Sequence, residues 1–271
     1  MRGLYYRERG AFVLLLNLSN VDISYGDTVT VKNVNLTLDE GERLSIVGES
    51  GSGKTTVIRA ILGVLPGSGR VSKGRVMFEG KNLAELSDKE WRKIRGREIS
   101  MIFQDSGNMM NPVKTIGSQF VEYITTVSDA DKKSAYDTAI KMLGLMNLPN
   151  PENVMKSYTF ELSGGMRQRV GIAMAITFKP KLLLADEPTS ALDVTTQAQI
   201  VKELMKIQKA AMIIVTHNIG VAAALGDKLM VMQMGKVVEY GKTEEVLNSP
   251  KAEYTKTLLA AVPEIGGKRY E

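Results

Sequence analysis

The sequence predicts an α/β fold built on a central sheet. Short apolar runs at 43–47, 182–184 and 212–215 alternate with helix-like stretches. A glycine loop joins the first of those runs to a helix, and between Asp105 and Lys179 strand-like runs give way to helical spacing.

Taken in order, residues 29–31 and 34–38 alternate apolar with polar, the period of half-buried strands, and Glu40 and Gly41 turn the chain. Residues 43–47 read as a buried strand, followed by the glycine loop and a helix from 54 to about 62. With Pro66, Gly67 and Gly69, residues 63–74 read as a loop, and 75–78 and 98–103 as further strands. Residues 113–127 and 129–145 carry helical apolar spacing, so a helical lobe is expected at about 106–179. Pro149 and Pro151 mark a break inside it. Strands at 182–184 and 212–215 then bracket a helix at about 194–209, and 229–232 and 236–239 flank Gly235 as a hairpin. The expected organisation is a leader at 1–17, a main domain at 18–250 and a tail at 251–271.

A chain of 271 residues buries a full-sized core without staples, as one large domain or a domain with a smaller lobe. Its 44% apolar and 24% charged residues exclude disorder, collagen and coiled coil. With no cysteine, disulfides, thiolate zinc sites and cysteine-held iron–sulfur clusters are excluded too. The net charge of +5 is spread along the chain, as on an ordinary solvated surface. No stretch approaches the ~20 apolar residues that span a bilayer. The longest uninterrupted apolar runs are 11–16 and 210–215. Arg2, Arg7 and Arg9 before the first of these faintly mimic a signal peptide, but the run is too short, and it reads as a leader entering a strand. Any work at a membrane is expected to depend on partners.

Gly48, Glu49, Ser50, Gly51, Ser52, Gly53, Lys54 and Thr55 fit G-x-x-x-x-G-K-[ST] between a strand and a helix. Such a loop converges backbone N–H groups on phosphate, lets Lys54 reach the β- and γ-phosphates and offers the Thr55 hydroxyl to Mg²⁺. Asp186 and Glu187 end an apolar strand. Alone they would be ordinary strand-end acids; beside a phosphate loop, Asp186 reads as a Mg²⁺ holder and Glu187 as the group that polarises an attacking water. Leu162, Ser163, Gly164, Gly165, Met166, Arg167 and Gln168 form a second glycine motif opening a helix. It reads either as an N-cap on Ser163 or as the half of a site completed by the phosphate loop of a second subunit.

Together with Ser190, Ala191, Leu192 and Asp193, these motifs resemble the ATP-binding-cassette (ABC) ATPases over about residues 18–263. The resemblance implies a P-loop NTPase cassette: a central sheet, an N-terminal antiparallel β subdomain and the inserted helical subdomain. It adds Thr56 to the ATP-binding loop and matches Tyr25 to the aromatic that stacks on adenine. Gln104 matches a glutamine that contacts Mg²⁺ and relays to membrane subunits, and His217, the single histidine, a switch on the γ-phosphate. Ser163, Gly164, Gly165 and Gln168 would act on ATP held by the other subunit, with Ser190, Ala191, Leu192 and Asp193 as the D-loop. Within the family, the runs 161–170 and 190–200 and the tail with Tyr254, Thr255, Leu258, Leu259, Val262 and Pro263 resemble the peptide/nickel importer branch. Ala252 and Glu253 stand where that branch usually has His-Pro. The implied cofactors are ATP and Mg²⁺, with no iron–sulfur cluster. The implied partners are a second ABC ATPase subunit (a heterodimer, or a homodimer for the isolated chain), two membrane-spanning permease subunits and an extracytoplasmic substrate-binding protein, with no nucleic acid. The implied place is the cytoplasmic face of the cell membrane, as a peripheral subunit. Another ABC import or export system is the alternative within the family, and a soluble ABC-type ATP switch the alternative outside transport.

Overall fold

A computed structural model describes residues 14–190, 192–207 and 209–261; Ala191, Val262 and Pro263 of the motifs above lie outside these. The chain begins β1 (Leu14–Tyr25), β2 (Thr28–Asp39), β3 (Arg43–Val47), α1 (Lys54–Leu62), β4 (Gly69–Phe78), β5 (Lys81–Asn82), α2 (Asp88–Ile94) and β6 (Ile99–Ile102). A helical stretch follows: α3 (Ser106–Met109), α4 (Ile116–Val127), α5 (Lys132–Leu145), α6 (Pro151–Lys156) and α7 (Gly164–Ile176). Strands and helices then alternate as β7 (Leu182–Asp186), α8 (Val194–Lys206), β8 (Ala211–Val215) and α9 (Ile219–Leu225). The last described elements are β9 (Lys228–Gln233), β10 (Lys236–Lys242), α10 (Thr243–Asn248) and α11 (Glu253–Ala260). No described helix is long and apolar enough to cross a membrane.

Two sheets form. An antiparallel one has the order β2-β1-β4-β5; the other, β10-β9-β3-β8-β7-β6, is parallel except for β10. In the antiparallel sheet Leu16, Leu18, Ile23, Val31, Leu36 and Leu38 are buried in one cluster with Val57, Ile58 and Ile61 of α1. That shared cluster lays the helix after the glycine loop between the two sheets.

The strand at 69–74 is a correction, since those residues read as loop. Gly69 pairs with Tyr25, and Val71 with Ile23, as β4 enters the sheet. Gly74 sits beside a register shift at a φ of 83°, where a Cβ would meet the Asn20 carbonyl at 2.4 Å. Its glycine marks a bulge inside a strand. Leu14, Leu15, Leu16 and Asn17, read as the end of a leader, are the opening residues of β1. Pro151 starts α6 at its first turn, where its missing N–H costs nothing.

In the helical stretch, Asp131 caps α5 by accepting the N–H groups of Lys133 (2.8 Å) and Ser134 (3.0 Å). Phe120, Ile124, Ala139 and Leu143 share one apolar cluster with Ile102, Leu183 and Ile214 of the sheet. The lobe is thus packed onto the sheet that carries the site.

Register then assembles the site. Ile46 of β3 lies beside Val215 of β8, Val215 beside Asp186 of β7, and Ala185 beside Ile102 of β6. The carboxyl ends of four strands therefore form one row, and the residues just beyond it are Gly48, Thr216, Glu187 and Phe103. Open α/β sheets bind ligands outside such a row.

Candidate nucleotide site

A cavity of about 320 Å³ opens on that row, lined by Thr30, Ser50, Gly51, Gly53, Lys54, Thr55, Thr56, Gln104, Glu187 and His217. Gly48 begins the loop at a φ of 148°, and a Cβ there would meet the Met232 carbonyl at 2.1 Å. Only glycine lets the loop turn this close to β9.

Lys54, buried at the start of α1, donates to the carbonyls of Gly48 (2.8 Å) and Glu49 (2.7 Å). Burial holds its ammonium below the usual lysine range, against the opposing pull of the Glu187 and Asp186 carboxylates. A desolvated ammonium held by two carbonyls is a cation ready to exchange them for phosphate oxygens. The Thr55 hydroxyl donates to Asp186 Oδ1 at 2.8 Å. Burial pushes the Asp186 carboxyl above its ordinary value, while Thr55, Arg59 and Lys54 pull the other way. A hydroxyl and a carboxylate side by side are hard oxygen donors of the kind Mg²⁺ takes alongside phosphate. The residues present fit that ion.

Asp186 also carries a stability cost. Below the ordinary carboxylate value near 3.8 it is neutral folded or unfolded; as pH rises through its raised folded value, ionisation must work against burial and stability falls. Asp186→Asn should therefore raise the nucleotide-free melting temperature at neutral pH by about 2–4 °C, the shift that about 1 kcal/mol produces in a chain of this size. Thermal melting checks this, and a fall would show that the Thr55 bond outweighs desolvation. Added Mg²⁺-ATP should then stabilise the variant less than the parent.

Glu187 is held in a left-handed conformation, φ 47°. Its N–H donates to the Val215 carbonyl (2.8 Å), and its own carbonyl accepts from the Ser190 N–H (3.1 Å) and hydroxyl (3.0 Å). A strained non-glycine residue clamped this way is pre-organised. His217 Nδ1 lies 2.8 Å from Glu187 Oε2, a buried oxygen with no other partner among the described residues. The pair can accept and shuttle a proton at the cavity.

The other residues singled out in the sequence stand elsewhere. Tyr25 ends β1 half-exposed and does not line the cavity. Ser163 caps α7, accepting the Met166 N–H at 3.3 Å, and the glycine pair after it also lies outside the cavity. Gln168, read as a ligand of the second subunit's ATP, is buried and donates to the Phe103 carbonyl at 3.3 Å. It struts α7 against the segment carrying Gln104. Asp193 caps α8 through the Thr196 N–H (3.0 Å). Sequence reading missed Thr30, which lines the cavity from β2 with no motif to announce it. It also missed Arg59, whose position one helical turn after Thr55 was the available signal.

Residues 31–190 match the family model described as ABC transporter. The chain belongs to the ABC transporter family. Residues 238–271 of this ABC transporter chain match a second model, "Oligopeptide/dipeptide transporter, C-terminal region". The chain is 44% identical over 259 residues to the dipeptide transport ATP-binding protein DppD of Bacillus subtilis (strain 168), covering 93% of this chain and 77% of that protein. It is 43% identical over 257 residues to the oligopeptide transport ATP-binding protein OppD of the same strain, covering 92% and 72%. Among solved structures, it is similar to the ATP-binding cassette MJ0796 as a dimer in a post-hydrolysis state bound to ADP and Pi. That likeness has a TM-score of 0.75 at 31% identity and covers 84% of this chain and 99% of that one.

Proposed function

We propose that this chain is the ATP-binding and ATP-hydrolysing subunit of an ABC importer, powering uptake of peptides or a related small solute through a membrane permease. The observation that carries ATP hydrolysis is the meeting of Lys54, the Thr55–Asp186 pair and the Glu187–His217 pair at one cavity of about 320 Å³. Peptide uptake is supported by the transporter-specific match over 238–271 and by relatives named for dipeptide and oligopeptide transport.

In this reading Lys54 exchanges the Gly48 and Glu49 carbonyls for the β- and γ-phosphates, and the loop N–H groups at the start of α1 bind the same oxygens. Mg²⁺, when held by Thr55 and Asp186, neutralises phosphate charge. Glu187 takes a proton from the water whose oxygen bonds to the γ-phosphorus, while the bond to the bridging oxygen breaks and ADP departs with that oxygen. His217 orients the Glu187 carboxylate and senses the γ-phosphate. Gln104, on the cavity rim, relays occupancy to the permease, and Tyr25 offers adenine a stacking face.

The proposed assembly has a second ABC ATPase subunit, two permease subunits and an extracytoplasmic binding protein, with this chain peripheral on the cytoplasmic face of the membrane. The position of Ser163, Gly164 and Gly165 outside the chain's own cavity favours action on ATP held by the partner cassette.

Ser163→Glu tests that arrangement. Its carboxylate should repel the γ-phosphate only on closure, so ATP affinity of the isolated chain stays within about three-fold while ATP-driven dimerisation and turnover collapse. Size exclusion with ATP and a phosphate-release assay measure both. Mixed with Lys54→Ala, a homodimer would regain one intact composite site, and some pairing should return. Severe loss of ATP binding by the Ser163→Glu monomer would place the loop in its own chain's site.

A further inference from the structure

The tail motif around Tyr254 has no part in the chemistry above, yet its side chain reaches the phosphate loop. We propose that Tyr254 is a positioning residue of the nucleotide site: from α11 it orients the Gly48–Glu49 peptide that opens the phosphate loop. Its hydroxyl accepts the Glu49 N–H at 3.0 Å, across 205 residues of sequence. The carbonyl of that same peptide, Gly48 O, accepts from Lys54 at 2.8 Å. One peptide plane is thus gripped at both ends, its oxygen by the phosphate-binding lysine and its N–H by the tail.

The grip matters because of Gly48. A glycine leaves the following peptide free to rotate at little cost, so its direction must be imposed from outside. Tyr254 can impose it because α11 is itself anchored. Glu239 on β10 accepts the N–H groups of Lys251 (2.8 Å) and Ala252 (3.1 Å), fixing the turn that enters the helix. Leu259 is buried in one cluster with Val47, the last residue of β3 before the loop. The Glu49 N–H is spent on Tyr254, so the effect on ATP runs through loop orientation. Helix α11 then belongs to the nucleotide site, and whatever displaces it loosens the loop.

This inference rests on the reading of Gly48 to Thr55 as the ATP phosphate loop. The experiment compares the full chain with Tyr254→Phe, Glu239→Ala, their double variant and Lys54→Ala. Fluorescent-nucleotide titration with Mg²⁺ gives affinity, steady-state turnover gives KM and kcat, and thermal melting gives stability. Losing one neutral hydrogen bond should weaken ATP binding by Tyr254→Phe about three- to ten-fold. KM should rise in step while kcat moves less than about two-fold, because uniform binding is what is lost. Glu239→Ala should shift affinity in the same direction, and the double variant should fall short of the product of the two effects, since both act through one contact. Unchanged affinity in Tyr254→Phe, alongside the loss in Lys54→Ala, would overturn the role of Tyr254. So would a lowered melting temperature without a KM change, or two independent, multiplying effects. Unchanged affinity in Lys54→Ala would instead overturn the phosphate-loop reading.

Discussion

Lys54→Ala should leave a folded protein whose affinity for Mg²⁺-ATP falls by at least about 100-fold, since it loses charge-assisted bonds to two phosphates. The structure separates this loss from unfolding. Lys54 is buried, and burial depresses its pKa, so the nucleotide-free protein bears a cost for the charge that alanine removes. Lys54 itself lines the cavity, so water can enter the space it leaves and reach the Gly48 and Glu49 carbonyls. The melting temperature should therefore hold or rise while fluorescent-nucleotide binding disappears. Unchanged affinity would remove the loop from the site.

Glu187→Gln should keep ATP affinity and lower hydrolysis by at least about 100-fold, the lower range for losing a general base. The change is confined to the side-chain end. The backbone bonds that fix residue 187 run to Val215 and Ser190 and survive the substitution. The amide keeps the carboxylate's shape but cannot take the water's proton. ATP then persists, and the variant should accumulate as an ATP-bound dimer on size exclusion. Near-normal turnover would move the base elsewhere, with His217, at 2.8 Å from Glu187, the next group to replace.

Both predictions could be framed from the sequence because the chemistry lies in contiguous motifs. A run from Gly48 to Thr55 can bind phosphate through its own backbone, so spacing alone announces it. The buried strands read at 43–47, 182–184 and 212–215, which the structure extends to 182–186 and 211–215, were legible for a related reason. In a parallel sheet covered on both faces, strands are short runs of apolar residues.

Gly69 to Gly74 was misread because glycine signals turns in a local view. Its strand character comes from pairing with β1, more than forty positions earlier. The contact of Gln168 was not legible because nothing local says which way a helical side chain faces; packing turned it onto Phe103.

By itself, then, the sequence of this ABC transporter chain determined the fold class, and it announced the glycine loop and the pair of acids, each of these two written within a few consecutive residues. Only the tertiary structure decided that β3 lies between β8 and β9, that Glu187 is clamped at positive φ beside His217, and that Tyr254 grips Glu49. These are contacts between segments distant along the chain. Their partners are chosen by strand register and core packing, which no local spacing encodes.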